Sequence, residues 1–128
     1  MIKINTEKAP KAVGPYSQAV IAGDMVYTSG QIAINPLTNT VEATTIEEQT
    51  EQVMQNLGAV LETAGSSFEM AVKTTCFLAD MNDFTAFNEI YGKYFTGLPA
   101  RSCVAVKTLP KNVLVEVEVI AKTTYMNR

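Results

Sequence analysis

Histidine is absent from this 128-residue chain, and that absence narrows its chemistry more than any residue present. Without imidazole there is no general base of the usual neutral-pH kind, no histidine-based triad, and almost no common zinc site. Cysteine is sparse. Cys76 and Cys103 both fall in predicted strands and read as reduced thiols, which favours an intracellular, cytoplasmic location. No charged segment followed by a long apolar run opens the chain, so neither a secretory signal nor a membrane span is expected. Positive charge is also in deficit: a formal net charge of -3 offers no global attraction to nucleic acid or an anionic membrane. Gly14-Pro15, Gly23-Asp24 and Gly65 lack the spacing of a phosphate loop or dinucleotide fingerprint. No metal site or cofactor is expected. Chemistry is left to carboxylates, backbone, hydroxyls, arginine or bound water.

What is present supports a folded chain. Hydrophobic residues make up 47%, and the glycines and prolines sit mostly at turns, so residues 1–128 read as one domain with its own core. Ile2 to Asn5 predicts a short edge strand. Ser17 to Ala22 and Met25 to Ser29 predict a hairpin closed at Gly23-Asp24. Gln31 to Ile34 extends the sheet before Asn35-Pro36, and Thr40-Val41 returns. Thr45, with Glu48 as third helical residue, has capping-box spacing. Ile46, Gln49, Val53, Leu57, Val60, Leu61 and Ala64 then keep helical period up to Gly65. Met70 to Leu78 reads as a strand. Asn82 is placed as the cap of a second helix with a broad aromatic face (Phe84, Phe87, Ile90, Tyr91, Tyr94, Phe95), expected to be core. Asp80 and Asp83 flank its start, where capping explains them better than metal binding.

The last two strands carry the chemistry. Arg101 opens the apolar-looking strand Arg101 to Val106, and an unpaired buried charge is costly. From Val113 to Thr123 the residues alternate. Val113, Val115, Val117 and Val119 share one face, expected beneath the helices; Leu114, Glu116, Glu118 and Ile120 share the other. Carboxylates mixed with Leu114 and Ile120 point to a subunit contact. From the residues alone, Arg101 has two readings: an internal or intersubunit salt bridge, with Glu116 or Glu118 as candidate partners, or a carboxylate-binding fork. Helices interspersed in a mainly antiparallel sheet predict a two-layer α+β fold with both helices on one sheet face.

A series of short motifs then carries a family resemblance along almost the whole chain. They are Gly14-Pro15-Tyr16-Ser17-Gln18-Ala19, Thr28-Ser29-Gly30-Gln31-Ile32, Asn56-Leu57 with Ala64-Gly65, and Val72-Lys73-Thr74. They continue as Asp80-Met81-Asn82-Asp83-Phe84, Asn88 with Tyr91, Pro99-Ala100-Arg101-Ser102, and Leu109-Pro110 before Val115-Glu116-Val117-Glu118. In this order they resemble the reactive-intermediate deaminase family, also called Rid or YjgF. The resemblance implies a chorismate-mutase-like α+β subunit, assembled as a homotrimer with sites between subunits. It implies hydrolysis of reactive 2-imino acids or their enamines, such as 2-iminobutanoate and 2-iminopropanoate, to 2-oxo acids and ammonia. The family's carboxylate-binding arginine maps onto Arg101 and its acidic residue onto Glu116. The remaining pocket positions fall on Tyr16, Ser29, Gly30, Asn88 and Cys103. Two departures stand out: Asn39 where members often have glycine, and a short Thr96-Gly97-Leu98 connection at the pocket rim.

An imine carbon is already electrophilic, so the missing histidine is no obstacle. Arg101 and the backbone N–H near Gly30 would hold the substrate carboxylate, while Glu116 and the Cys103 carbonyl would hold the attacking water. The Cys103 thiol, with no histidine to activate it, is expected to pack in the strand, and Cys76 in the core. Tyr16 would offer its hydroxyl, Ser29-Gly30 a hydroxyl and an amide, and Asn88 a tie from helix to pocket wall. The competing expectation is a binding or regulatory protein that captures a small carboxylate in the same pocket without turning it over. Neither a membrane nor a nucleic-acid partner is expected.

Overall fold

Local signals place the first long helix, and it organises the rest. The computed structural model describes residues 1–125. Helix α1 (Ile46–Thr63) begins at the expected capping box. Thr45 Oγ1 accepts the Glu48 N–H at 3.1 Å, and Glu48 Oε1 accepts the Thr45 N–H at 3.4 Å. It ends in a Schellman turn: Gly65, at φ 73°, donates to Glu62 O, and Ser66 donates to Leu61 O. Its buried stripe of Val53, Met54, Leu57, Val60 and Leu61 lies over the valine row of the last strand. Each such aliphatic side chain contributes about 1.5–3 kcal/mol of transfer free energy when fully buried.

The main sheet runs β1 (Ile2–Ile4), β2 (Ala19–Ala22), β3 (Met25–Thr28), β8 (Val115–Lys122), β6 (Ala71–Leu78), β7 (Ala100–Ala105). All pairings are antiparallel except β6 with β7, which helix α2 (Phe84–Tyr94) connects in parallel. A small hairpin, β4 (Ile34–Asn35) with β5 (Thr40–Val41), stands apart. Its turn holds Asn39 at φ 61°, left-handed geometry that asparagine tolerates. Val115, Val117 and Val119 are buried, and both helices cover that face, as the alternation required. Among the described residues no helix covers the other face, and there Tyr27 and Val104 remain 45% and 46% exposed.

Several boundaries differ from expectation for physical reasons. The strand expected from Ser17 starts at Ala19, because the Gln18 side chain is buried in bonds to the Thr6, Ala9 and Pro10 backbone. Gln31 to Ile34 does not extend a continuous strand; Gln31 makes an isolated bridge to Val117, and Ile34 joins the separate hairpin. Asn82 does not cap α2. Asp80 accepts the Asn82 N–H at 2.9 Å and caps a single 3-10 turn that leads into the helix. The strand of Arg101 is an outer edge, mostly exposed, not a buried one.

Candidate functional site

Strand parity decides where Arg101 and Glu116 go. Arg101 lies in register with Thr74 and, one strand further, Val119, so it shares the helix-covered face. Glu116 lies in register with Phe77, whose other neighbour is Val104, on the opposite face. Within one chain the two residues sit on opposite sides of one sheet.

The Arg101 side is built by α2. Phe84, Asn88 and Tyr91 fall at i, i+4 and i+7 on one helix stripe. Arg101 Nη1 donates to Asn88 Oδ1 at 2.6 Å, and its guanidinium lies 4.7 Å from the Tyr91 ring centre and 5.4 Å from that of Phe84. Tyr91 is fixed in turn by a 2.7 Å hydroxyl bond to buried Thr74, the strand neighbour of Arg101. Stacked aromatics hold a guanidinium without neutralising it. An ion pair of Arg101 with Glu116 or Glu118 inside one chain does not match this arrangement: among the described residues the one ion pair joins Lys122 to Asp24, at 3.9 Å. A shallow pocket of about 520 Å³ opens beside the arginine, lined by Asn88, Tyr91, Leu98 and Pro99. Leu98 is exposed and held at φ 54° in the shortened connection.

The Glu116 side is built by a bulge. Tyr27 pairs with Ile120, but Gln31 rather than Gly30 faces Val117, so the first strand carries one extra residue. Thr28 Oγ1 fills the gap by accepting the Val119 N–H at 3.0 Å. The bulge drives Gly30 against Glu116: a Cβ on residue 30 would lie 2.1 Å from Glu116 Oε2. Gly30 is glycine for space, since it is not among the glycines with positive φ. The carboxylate opens into a cavity of about 590 Å³ that also takes in Tyr16, Ser29, Gly30, Gln31, Ile32 and Lys111. Burial, then the charge of Glu118, raises the Glu116 carboxyl above its ordinary 4.5.

The predicted residues therefore fall into two groups. Tyr16, Ser29, Gly30 and Glu116 share the cavity; Asn88 and Arg101 share the shallow pocket across the sheet. Ser29 Oγ donates to Ser17 O at 2.6 Å, so it offers a ligand lone pairs and not a proton. Cys103 is half-buried beside fully buried Cys76, and burial raises both thiols, Cys76 to about 12. Sequence reasoning missed the guanidinium-holding role of Phe84 and Tyr91, because an aromatic helix stripe reads as core. It also missed Lys11 and Lys111 at the cavity wall. A larger groove of about 680 Å³ runs along α1 past Gln52, Gln55 and Glu62, and holds neither Arg101 nor Glu116.

The family model described as Endoribonuclease L-PSP matches residues 6–123. The chain belongs to this family, the Rid/YjgF proteins. Among Rid/YjgF relatives, a putative regulator AldR of Lactococcus lactis is 52% identical over 120 residues, 93% of this chain and 95% of that protein. The mouse 2-iminobutanoate/2-iminopropanoate deaminase is 48% identical over 119 residues, 92% of this chain and 88% of the relative. The crystal structure of E. coli TdcF with bound serine superposes with TM-score 0.91 at 40% identity, covering 97% of this chain and all of that one (100%). The mixed α+β fold is thus the Rid/YjgF fold, and the family supports a reactive-intermediate deaminase role. Among the described residues no helix is long and apolar enough to cross a membrane, and no three carboxylate or thiol groups converge as a metal site would need.

Proposed function

We propose that this Rid/YjgF protein is a cofactor-free deaminase of 2-imino acids, working at sites shared between neighbouring subunits of a homotrimer. One observation carries the reading. A guanidinium with no carboxylate partner among the described residues and a desolvated carboxylate in a cavity lie on opposite faces of one sheet, the arrangement that a site shared between neighbouring chains would use. The uncovered face bearing Tyr27, Val104, Ile120 and Phe77 is the surface that association would bury.

In such a site Arg101 of one subunit grips the substrate carboxylate, with the Gly30 N–H of its neighbour assisting. Glu116 and the Cys103 carbonyl orient a water toward the imine carbon. The water oxygen bonds to that carbon, the C=N pair moves to nitrogen, and the proton released passes through Glu116 to the amine. Collapse of the carbinolamine forms the 2-oxo acid and expels ammonia. The mouse relative named for this activity supports the substrate class.

The test generates 2-iminobutanoate in situ, corrects for spontaneous hydrolysis, and compares wild type with Arg101→Ala and Glu116→Gln. Each variant alone should lose activity as an intact trimer. Co-expressed, they should regain about a quarter of wild-type activity, the share of adjacent pairs that restore one whole site. Mixed trimers as inactive as the parents would defeat the shared site, and a wild type that does not accelerate imine loss would defeat the enzyme. The second reading, capture of an amino or oxo acid without turnover, draws on the regulator name of one relative and the bound serine of another. Calorimetric binding of serine or 2-oxobutanoate by a protein without turnover would select it.

A further inference from the structure

We propose that Cys76 and Cys103 form an oxidisable dithiol, a modification site behind Arg101 that closes to an intrachain disulfide on exposure to peroxides. The two residues are direct partners across the parallel β6–β7 pair, with Thr75–Ser102 and Phe77–Val104 holding the register on either side. Paired strands lie roughly 4.8 Å apart, inside the window of about 4.4–6.8 Å that Cα atoms of a disulfide occupy. Both side chains belong to the helix-covered face, Cys76 in the buried row of Thr74 and Leu78, Cys103 two residues from Arg101. Their Cβ directions are therefore shared, and no strand has to slip. Both thiols are free, and among the described residues the Cys76 sulfur has one hydrogen-bond partner, the Thr74 hydroxyl, at a loose 3.9 Å.

Exposure orders the steps. Cys76 is wholly buried, whereas Cys103 is half-buried on the outer strand, so peroxide meets Cys103 first. The Cys103 sulfur attacks one peroxide oxygen, the O–O bond breaks, and sulfenic acid and water form. The Cys76 sulfur then displaces the sulfenic hydroxyl, which leaves as a second water with the Cys76 proton. Two thiols have lost two electrons, and one peroxide has been reduced to two waters. Burial raises both thiols, which makes this a slow response to sustained oxidant rather than peroxidase turnover. Because the bridge pins the Cys103 side chain to β6 two residues from Arg101, oxidation should also weaken carboxylate binding. That consequence alone rests on the function proposed above.

The full-length protein is incubated with excess hydrogen peroxide, denatured, alkylated, and analysed by intact mass and peptide mapping. Apart from oxygen added at exposed methionines, the expected product is two hydrogens lighter, takes no alkyl group, yields a peptide joining residues 76 and 103, and has that bridge reversed by dithiothreitol. Calorimetry with 2-oxobutanoate should show at least a tenfold weaker association for that product. Chains that gain oxygen at Cys103 while Cys76 still alkylates, disulfides between chains, or two thiols still alkylated would each overturn the dithiol. Cys76→Val, close in volume, should convert the reversible product into an oxygenated Cys103; the edge variant Cys103→Ser should leave Cys76 reduced. The chemical arms need no turnover of any imine, so they fail or succeed independently of the deaminase reading.

Discussion

Substituting Gly30 by alanine separates the position of the Glu116 carboxylate from the stability of the fold. The added Cβ would lie 2.1 Å from Oε2, 2.9 Å from Cδ and 3.1 Å from Cγ of Glu116, where ordinary contact begins near 3.4 Å. The oxygen must retreat by about 1.3 Å to clear it. The retreating group is the end of a flexible side chain beside an open cavity, so overpacking should cost no more than about 1–2 kcal/mol. Removing a glycine without positive φ returns about 0.4–1 kcal/mol through the unfolded chain. The net change in stability should therefore stay within about 1.5 kcal/mol. Catalysis depends on placement to better than an ångström, and a displacement of this size costs on the order of 100-fold. Thermal denaturation and the imine assay on Gly30→Ala should show a Tm within about 6 °C of wild type with kcat/KM down about 100-fold. Activity within threefold of wild type would refute the reasoning, because a displaced Glu116 would then not matter.

Three further outcomes follow from the site. Tyr91→Leu removes the ring beneath Arg101 and should raise KM, or weaken 2-oxobutanoate binding, about tenfold with a smaller change in kcat; Tyr91→Phe keeps the ring, loses the Thr74 bond, and should fall between. Equal losses in kcat for both variants would show a structural role only. Glu116 titrates above its ordinary 4.5 in the folded chain, so the fold binds that proton more tightly than the unfolded chain does. Its contribution to stability is full below 4.5 and is lost as pH rises through the raised value. Glu116→Gln should accordingly have a higher Tm than wild type at neutral pH and show little advantage in acid, measured by denaturation across pH. The proposed mechanism uses the ionised form, so the acid limb of the pH–rate profile should lie above 4.5, and Glu118→Gln should move it to lower pH.

The sequence by itself determined whatever depends on neighbours along the chain. Thr45 and Glu48 specify the start of α1, Gly65 its end, and Gly23-Asp24 the first hairpin, because caps and turns are made within a few residues. Alternation from Val113 onward shows which face of β8 is buried and that Glu116 lies on the other, since side-chain period in a strand is two. The ordered motifs identified the family and named Arg101 and Glu116 without geometry. Tertiary structure alone decided how those residues relate. Arg101-Ser102-Cys103-Val104-Ala105 has no alternation to read, so only its pairing with Thr74 and Cys76 reveals its face and its place at the sheet edge. The extra residue before Gln31 is visible only against Val117, and it is what presses Gly30 onto Glu116. Periodicity reports a residue's face but not its strand neighbour, because the neighbour is chosen by pairing across many tens of residues. That choice put the arginine and the glutamate on opposite sides of one sheet.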